Sequence, residues 1–276
     1  MPLLFAPYEA MRFCTVALDL SGIRGVSSAL SIHNGAYGII YQGGISMLKI
    51  ALAQLDIHAG DPRFNTAAMK KAISKAKQQG CDMIIFPELS IPGYFIGDVW
   101  DQPDFIDDCV RFGEEIQAAS EGITVVYGNV AKEPGRVNLD GRTRKYNAMF
   151  IASDGKLLSP ERSPYPFYIK TLLPNYREFS DIRYFTSLME VAQERRAFPE
   201  DFLSPVHIAF ADGRKLCVGP LICEDSWDDN YPFKPMSYLG NTYDIDLFVN
   251  ISSSPFTQGK TERRHRLFGK AIGEIG

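Results

Sequence analysis

From Met47 onward, hydrophobic positions fall into a period. MLKIALAQLD reads as a strand over Leu48 to Leu55, and the elements after it alternate between strand and helix. Asn65 can cap a helix that runs through Gln79 and stops at Gly80, the residue type favoured just past a helix end. Asp82 to Phe86 follows, with a Met-Ile-Ile-Phe run that predicts a strand buried on both faces. Phe105, Cys109, Phe112 and Ile116 share one helical face and predict a second helix over Asp104 to Ser120. Ile123 to Val130 is the third strand. Strand-helix alternation of this kind predicts an α/β fold.

The middle of the chain has a different pattern. Asp140-Gly141, Asp154-Gly155 and Asp212-Gly213 each sit between strand-like runs and predict tight hairpins, which add antiparallel strands to a sheet begun by βαβ units. Ser159 to Pro205 is rich in Pro, Tyr, Arg and Phe, with a polar helical stretch around Ser187 to Arg196. A segment of this length between strands reads as a functional loop or an insertion. Strands then follow over Val206 to Phe210, Leu216 to Cys223 and Ile245 to Ile251, and a basic helix starts near Gly259. That helix is still running at Gly276, so we expect an incomplete domain.

Residues 1–46 show neither period. Their Gly/Ser-rich run, Gly25 to Gly44, reads as a poorly patterned extension, and Met47 as an alternative natural start of a domain spanning 47–276. The extension also lacks a signal peptide's basic start followed by an apolar stretch.

Composition narrows the function classes. Hydrophobic residues make up 45% and charged residues 22% of the 276, which excludes global disorder and allows one large core. A net charge of -4 gives no footprint for nucleic acid, and Arg263, Arg264 and Arg266 form too short a basic cluster to supply one. A small-molecule partner is expected. The five cysteines, at 14, 81, 109, 217 and 223, are odd in number and show no CxxC spacing. Neither a disulfide framework nor a zinc site is indicated, and a reducing cytoplasm fits. No run of about 18 apolar residues predicts a membrane span, so a soluble protein is expected.

Three residues carry candidate chemistry. Cys223 ends an apolar strand in GPLICEDSW, where α/β sheets expose reactive groups, although a cysteine among apolar neighbours also serves as inert packing. Only four histidines occur, at 33, 58, 207 and 265, and none lies in a Cys-His motif. A nucleophilic thiol would then need a carboxylate base and a cation. Glu88 stands in FPELSIPGY behind Pro87, at the mouth of a buried strand, where desolvation raises a carboxyl pKa; it is equally placed to cap the next turn. Lys170 stands in YIKTLLPNYREF among apolar residues, and reads otherwise as a surface lysine. Glu224, Asp225, Asp228 and Asp229 lack the alternation and glycine of a calcium loop, so no metal is expected.

Taken in order, Glu88, Lys170 and Cys223 resemble the catalytic triad of the nitrilase superfamily. The words FPELSIPGY, KTLLPNYREFSDIRYF, LICEDSW and NISSSPFTQGK resemble those of the glutaminase domains of glutamine-dependent NAD synthetases, over about Met47 to Gly276. The resemblance implies a four-layer α-β-β-α sandwich of the carbon-nitrogen hydrolase fold. It makes Glu88 the general base, Lys170 the cation supporting the tetrahedral intermediate and lowering the thiol pKa, and Cys223 the nucleophile. It also implies a glutamine pocket lined by Tyr94 and Tyr127, with Ser253 and the loop Ser252 to Phe256, Phe256 included, on the substrate's α-amino and carboxylate groups. No cofactor is implied for this half. ATP and Mg²⁺ would belong to a synthetase domain or subunit that receives the ammonia, whose Ser-Gly-Gly-x-Asp-Ser loop does not occur in these residues, and a homo-oligomer is implied.

The sequence departs from that family in two respects. Asp-Glu is usual ahead of Arg-Tyr-Phe, whereas here the pair is Ser180-Asp181, with the second carboxylate one methylene shorter. Ser159 to Pro166 and Thr186 to Pro205 are also longer than the family pattern. A stand-alone amidase or carbamoylase, and a non-catalytic interaction module on the same fold, are the competing readings.

Overall fold

The computed structural model describes residues 15–17, 30–33, 36–43, 46–254, 258–259, 262–264 and 266–267. The region without a readable period supplies three strands: β1 (Thr15–Ala17), β2 (Leu30–His33) and β3 (Ala36–Gly43). β3 pairs antiparallel with β4 (Ser46–Ala53), Ala36 opposite Ala53 and Gly43 opposite Ser46. Backbone pairing of this kind does not require alternating side chains, which is why the pattern did not reveal it.

Helix α1 (Pro62–Gln78) begins earlier than its pattern predicts. Its cap is Asp61, whose Oδ1 accepts the Phe64 N–H at 2.9 Å. Asn65 is instead fully buried, accepting the His58 N–H and donating to the carbonyls of His58 and Ile91. It ties the loop before α1 to the segment after Glu88. Strand β5 (Met83–Ile85), helix α2 (Pro103–Ala118) and strand β6 (Thr124–Val137) come next, and β4, β5 and β6 run parallel. The Asp140-Gly141 turn folds β6 back onto β7 (Thr143–Ser153), and Asp154-Gly155 folds β7 onto β8 (Lys156–Leu157). Gly141 and Gly155 both take the positive φ that these turns demand.

The long middle segment is folded into the core. It holds β9 (Tyr168–Ile169), antiparallel to β7, then α3 (Asp181–Tyr184) and α4 (Leu188–Glu194), the last capped by a reciprocal Ser187–Glu190 box. Tyr165, Phe167, Leu188, Val191, Phe202 and Leu203 are all buried in one cluster. The second sheet follows: β10 (Val206–Ala209) and β11 (Lys215–Ile222), joined through Asp212-Gly213, then α5 (Pro235–Thr242) and β12 (Leu247–Ser252). β11 and β12 are parallel, and the strand order is β1-β12-β11-β10.

Alternation along the strands builds the layers. Ile50, Met83, Ile85, Val126 and Ile151 of the eight-stranded sheet meet Ile208, Val218, Ile222, Val249 and Ile251 of the four-stranded sheet in one apolar interface. Ile84, Phe86, Val125 and Tyr127 face outward, onto Met69 and Ile73 of α1 and Ile106, Cys109 and Ile116 of α2. Leu221 faces outward from the other sheet onto Met236 and Leu239 of α5. The result is the α-β-β-α sandwich. No helix among the described residues is long and apolar enough to cross a membrane.

Strand direction decides where chemistry can collect. β5 is parallel to β6, β7 opposes β6, and β9 opposes β7, so β5 and β9 point the same way. Residues just past β5, β9, β11 and β12 are Glu88, Lys170, Cys223 and Ser253. Side chains at such ends leave the core and meet the loops.

Candidate active site

Glu88 is placed by a glycine on the neighbouring strand. A Cβ at Gly128 of β6 would lie 2.3 Å from the Leu89 N and 2.6 Å from the Glu88 Cα, so only glycine allows the Pro87-Glu88-Leu89 turn to press against β6. The Gly128 N–H donates to the Pro87 carbonyl at 3.2 Å, and the Ser90 hydroxyl donates to the Gly128 carbonyl at 3.1 Å. Leu89 then takes a positive φ of 48° to complete the turn.

The Glu88 carboxylate is enclosed and fully hydrogen-bonded. Its Oε1 accepts from Lys170 Nζ at 2.7 Å and from Asn147 Nδ2 at 2.8 Å, and its Oε2 accepts the Ser253 N–H at 2.7 Å. Burial raises its pKa above the ordinary carboxylate range, against the pull of Lys170 and with a further push from Asp181. This is the direction the strand-mouth position predicted.

Lys170 is completely buried rather than on the surface. Its Nζ donates to Glu88 Oε1 and to Asp181 Oδ2, both at 2.7 Å, and its backbone N–H donates to the Asn147 carbonyl at 2.9 Å. Burial alone would lower its pKa. The charges of Asp181 and Glu88 outweigh burial and hold it well above the ordinary lysine value, so it stays an ammonium. Asp181, the carboxylate one methylene shorter than the family pattern, therefore reaches the lysine, because it opens α3 beside it. The Tyr94 hydroxyl donates to the other Asp181 oxygen.

Cys223 sits where β11 ends and the 3₁₀ turn Cys223–Ser226 begins, with φ at +48°. A non-glycine residue rarely adopts this conformation, and such outliers cluster at functional sites. Asn250 of β12 holds the turn: its Oδ1 accepts the Cys223 N–H at 2.7 Å and its Nδ2 donates to Ser226 Oγ at 2.6 Å. Burial pushes the thiol well above its ordinary pKa, and the Glu88 charge adds to this. Lys170 and a hydrogen bond from Ser252 act in the opposite direction and are outweighed. Lys170 therefore lowers the thiol pKa, as the sequence implies, but burial and the Glu88 charge outweigh it and the net shift is upward.

The acidic residues after Cys223 have separate tasks. Glu224 accepts from the hydroxyls of Tyr176 at 2.8 Å and Tyr231 at 2.9 Å. Among the described residues Asp225 accepts from backbone N–H groups alone, those of Thr171, Leu172 and Ile222.

Of the predicted pocket residues, Tyr94 and Ser253 join the triad, Ser253 through its backbone N–H to Glu88. Tyr127 does not. It follows the inward-facing Val126 on β6, so alternation turns it outward, where its hydroxyl donates to the Gly113 carbonyl and its ring stacks on Phe150. Phe256 lies outside the described residues, as does most of the basic helix. Asn147, Asn250, Glu224, Asp225, Tyr176 and Arg264 were not singled out as site residues. Arg264 donates to Ser254 Oγ at 2.8 Å and lies within electrostatic reach of Cys223. Its place in the basic run Arg263, Arg264 and Arg266 is the one local signal for it in the sequence.

Comparison with known proteins adds ancestry to this geometry. The carbon-nitrogen hydrolase family pattern matches residues 49–273. A glutamine-dependent NAD(+) synthetase from Thermotoga maritima is 29% identical over 215 residues, 77% of this chain and 31% of that protein. The one from Acinetobacter baylyi is 30% identical over 218 residues, 78% of this chain and 33% of that protein. The solved glutamine-dependent NAD+ synthetase of Acinetobacter baumannii, in complex with ADP, superposes with a TM-score of 0.61 at 28% identity, covering 83% of this chain and 36% of that one. A mutant of the nitrilase-superfamily amidase from Nesterenkonia AN1 superposes at 0.59 with 18% identity, covering 83% of this chain and 73% of that one, and so shares the fold. The chain spans about a third of the length of the curated relatives it matches.

Proposed function

The chain belongs to the carbon-nitrogen hydrolase family, and from that premise we propose that it hydrolyses the side-chain amide of glutamine and supplies the ammonia for glutamine-dependent NAD synthesis. The observation that carries this reading is the buried contact of Lys170 with Glu88, 2.7 Å, at the strand ends that also hold the strained Cys223.

In this mechanism Glu88 takes the thiol proton as Cys223 Sγ bonds to the amide carbon. The carbonyl oxygen becomes an oxyanion. An ammonium has three N–H donors, and Lys170 commits two of them to Glu88 and Asp181, leaving one for that oxyanion. Glu88 then protonates the departing nitrogen, and the C–N bond breaks to release ammonia and leave a γ-glutamyl thioester. Water attacks the thioester, Glu88 takes the water's proton, and the C–S bond breaks with that proton returned to sulfur. Glutamate leaves and the resting site is restored. The raised pKa of Glu88 suits a group that must both accept and give a proton.

Glutamine carries an α-ammonium and an α-carboxylate. Glu224 beside the nucleophile and Arg264 near it offer the opposite charges, and Tyr94, Ser253 and Phe256 would complete the pocket. Ammonia would pass to a synthetase domain or subunit that activates deamido-NAD with ATP and Mg²⁺, in a cytoplasmic assembly of several copies.

The test is release of glutamate and ammonia in equal amounts from L-glutamine. Cys223→Ala should cut it by roughly 10,000-fold or more. In the enzyme that joins this domain to a synthetase, the same variant should keep NAD synthesis from free ammonia. Glutamine use at a near-native rate by Cys223→Ala would overturn the assignment.

A further inference from the structure

We propose that Asp225 is a positioning residue, which sets the separation of Lys170 and Cys223 by clamping the backbone next to each. Its Oδ1 accepts the N–H groups of Thr171 at 3.0 Å and Leu172 at 2.8 Å, and its Oδ2 accepts that of Ile222 at 3.1 Å. Thr171 follows Lys170 directly, and Ile222 precedes Cys223 directly. One carboxylate thus joins two main-chain segments that are far apart in sequence, one just past β9 and the other at the end of β11.

Asp225 is buried, 3% exposed, and among the described residues its hydrogen bonds all come from backbone N–H groups. A carboxylate placed there loses its hydration, and three N–H bonds are what hold it. The neighbouring acid faces the other way: Glu224 meets two tyrosine hydroxyls. A hydrophobic residue at 225 would leave three buried donors unpaired. Asparagine would fit the space, but its NH₂ would oppose at least one backbone N–H, so the clamp could close on one segment only.

The consequence is geometric. Lys170 has its ammonium fixed by Glu88 and Asp181, but its main chain is held to the cysteine turn through Asp225. Loosening that bridge lets the nucleophile drift from the cation and base, and a misplacement of about 1 Å costs up to about 100-fold in rate. This inference rests on Cys223 being the nucleophile, not on glutamine being the amide.

The test follows the thiol itself. Iodoacetamide labelling, resolved by cysteine with peptide mass spectrometry, should modify Cys223 faster than the buried Cys109 in the native chain; equal rates would count against the nucleophile reading. Asp225→Asn should slow Cys223 labelling and amide hydrolysis by about tenfold or more, and Asp225→Ala by more still, with kcat falling while KM stays within about threefold. A folded Asp225→Asn chain with native labelling and native kcat would overturn the clamp. Should neither variant fold, amide hydrogen exchange in the native chain decides. Protection of Thr171, Leu172 and Ile222 that is lost in a single step supports the clamp, and fast exchange at one of them while the others stay protected overturns it.

Discussion

Glu88, Lys170 and Asp181 place one buried ammonium between two buried carboxylates. One cation cannot neutralise both acids, and burial accordingly favours a proton on Glu88. In the proposed mechanism Glu88 accepts the thiol proton and must be ionised to do so, so kcat/KM for amide hydrolysis should rise as pH rises through a value above the usual carboxylate range. Glu88→Gln should remove that limb and lower kcat roughly 100- to 10,000-fold. A native acid limb at the ordinary carboxylate pKa would contradict it. Asp225 makes a separate prediction about stability. Burial pushes its pKa from 3.8 up to about 7, so between those values the folded chain keeps a proton that the unfolded chain releases. Stability should fall as pH rises through that window, by up to about 1.4 kcal/mol per pH unit. Glu88 contributes in the same direction, so the informative quantity is the difference: urea midpoints of Asp225→Asn should slope less steeply with pH than those of the native chain. The ionised Asp225 is thus a cost to stability, set against the alignment it gives.

At the level of elements, the strand-turn junctions carry more than the helices do. Gly128 sits in the middle of a strand, where glycine is ordinarily a weakness, because the turn bearing Glu88 lies against its Cα. Gly128→Ala should push that turn away, lowering both the thermal midpoint and kcat, whereas Gly213→Ala, in open space but at positive φ, should lower the midpoint alone. Equal loss of activity in the two variants would refute the special role of Gly128. The correction at α1 has the same form. Asp61 makes a local cap worth about 1 kcal/mol. Asn65 makes two bonds to His58 in the preceding loop and one to Ile91, 26 residues away, and helical pattern does not distinguish the two.

Across the whole molecule, the site exists only where the two sheets face each other. Glu88 and Lys170 come from one sheet and Cys223 and Ser253 from the other, with the apolar interface between them as spacer. Ile251→Val, in that interface, and Ile73→Val, on the buried face of α1 in the outer layer, should each cost about 1 kcal/mol of stability. Only the Ile251 change should alter kcat, since only it shifts the spacing between sheets; identical kinetics in the two variants would argue against this coupling.

The sequence by itself determined the class of fold, the three Asp-Gly hairpins and the order Glu88, Lys170, Cys223. These depend on periods of two and 3.6 residues, on turn chemistry, and on short words, all readable along the chain. It did not show that Asn147 and Asn250 hold Glu88 and the cysteine turn, that Asp225 meets backbone N–H groups while Glu224 meets tyrosines, or that Tyr127 belongs to the outer core. Nor did it show that the short Asp181 reaches Lys170, or that burial outweighs the ammonium's pull on the thiol pKa. Tertiary structure decided these, because hydrogen-bond partners up to 165 residues apart, and the loss of water around them, are fixed by which strands pair and which sheets face, not by neighbours in the chain.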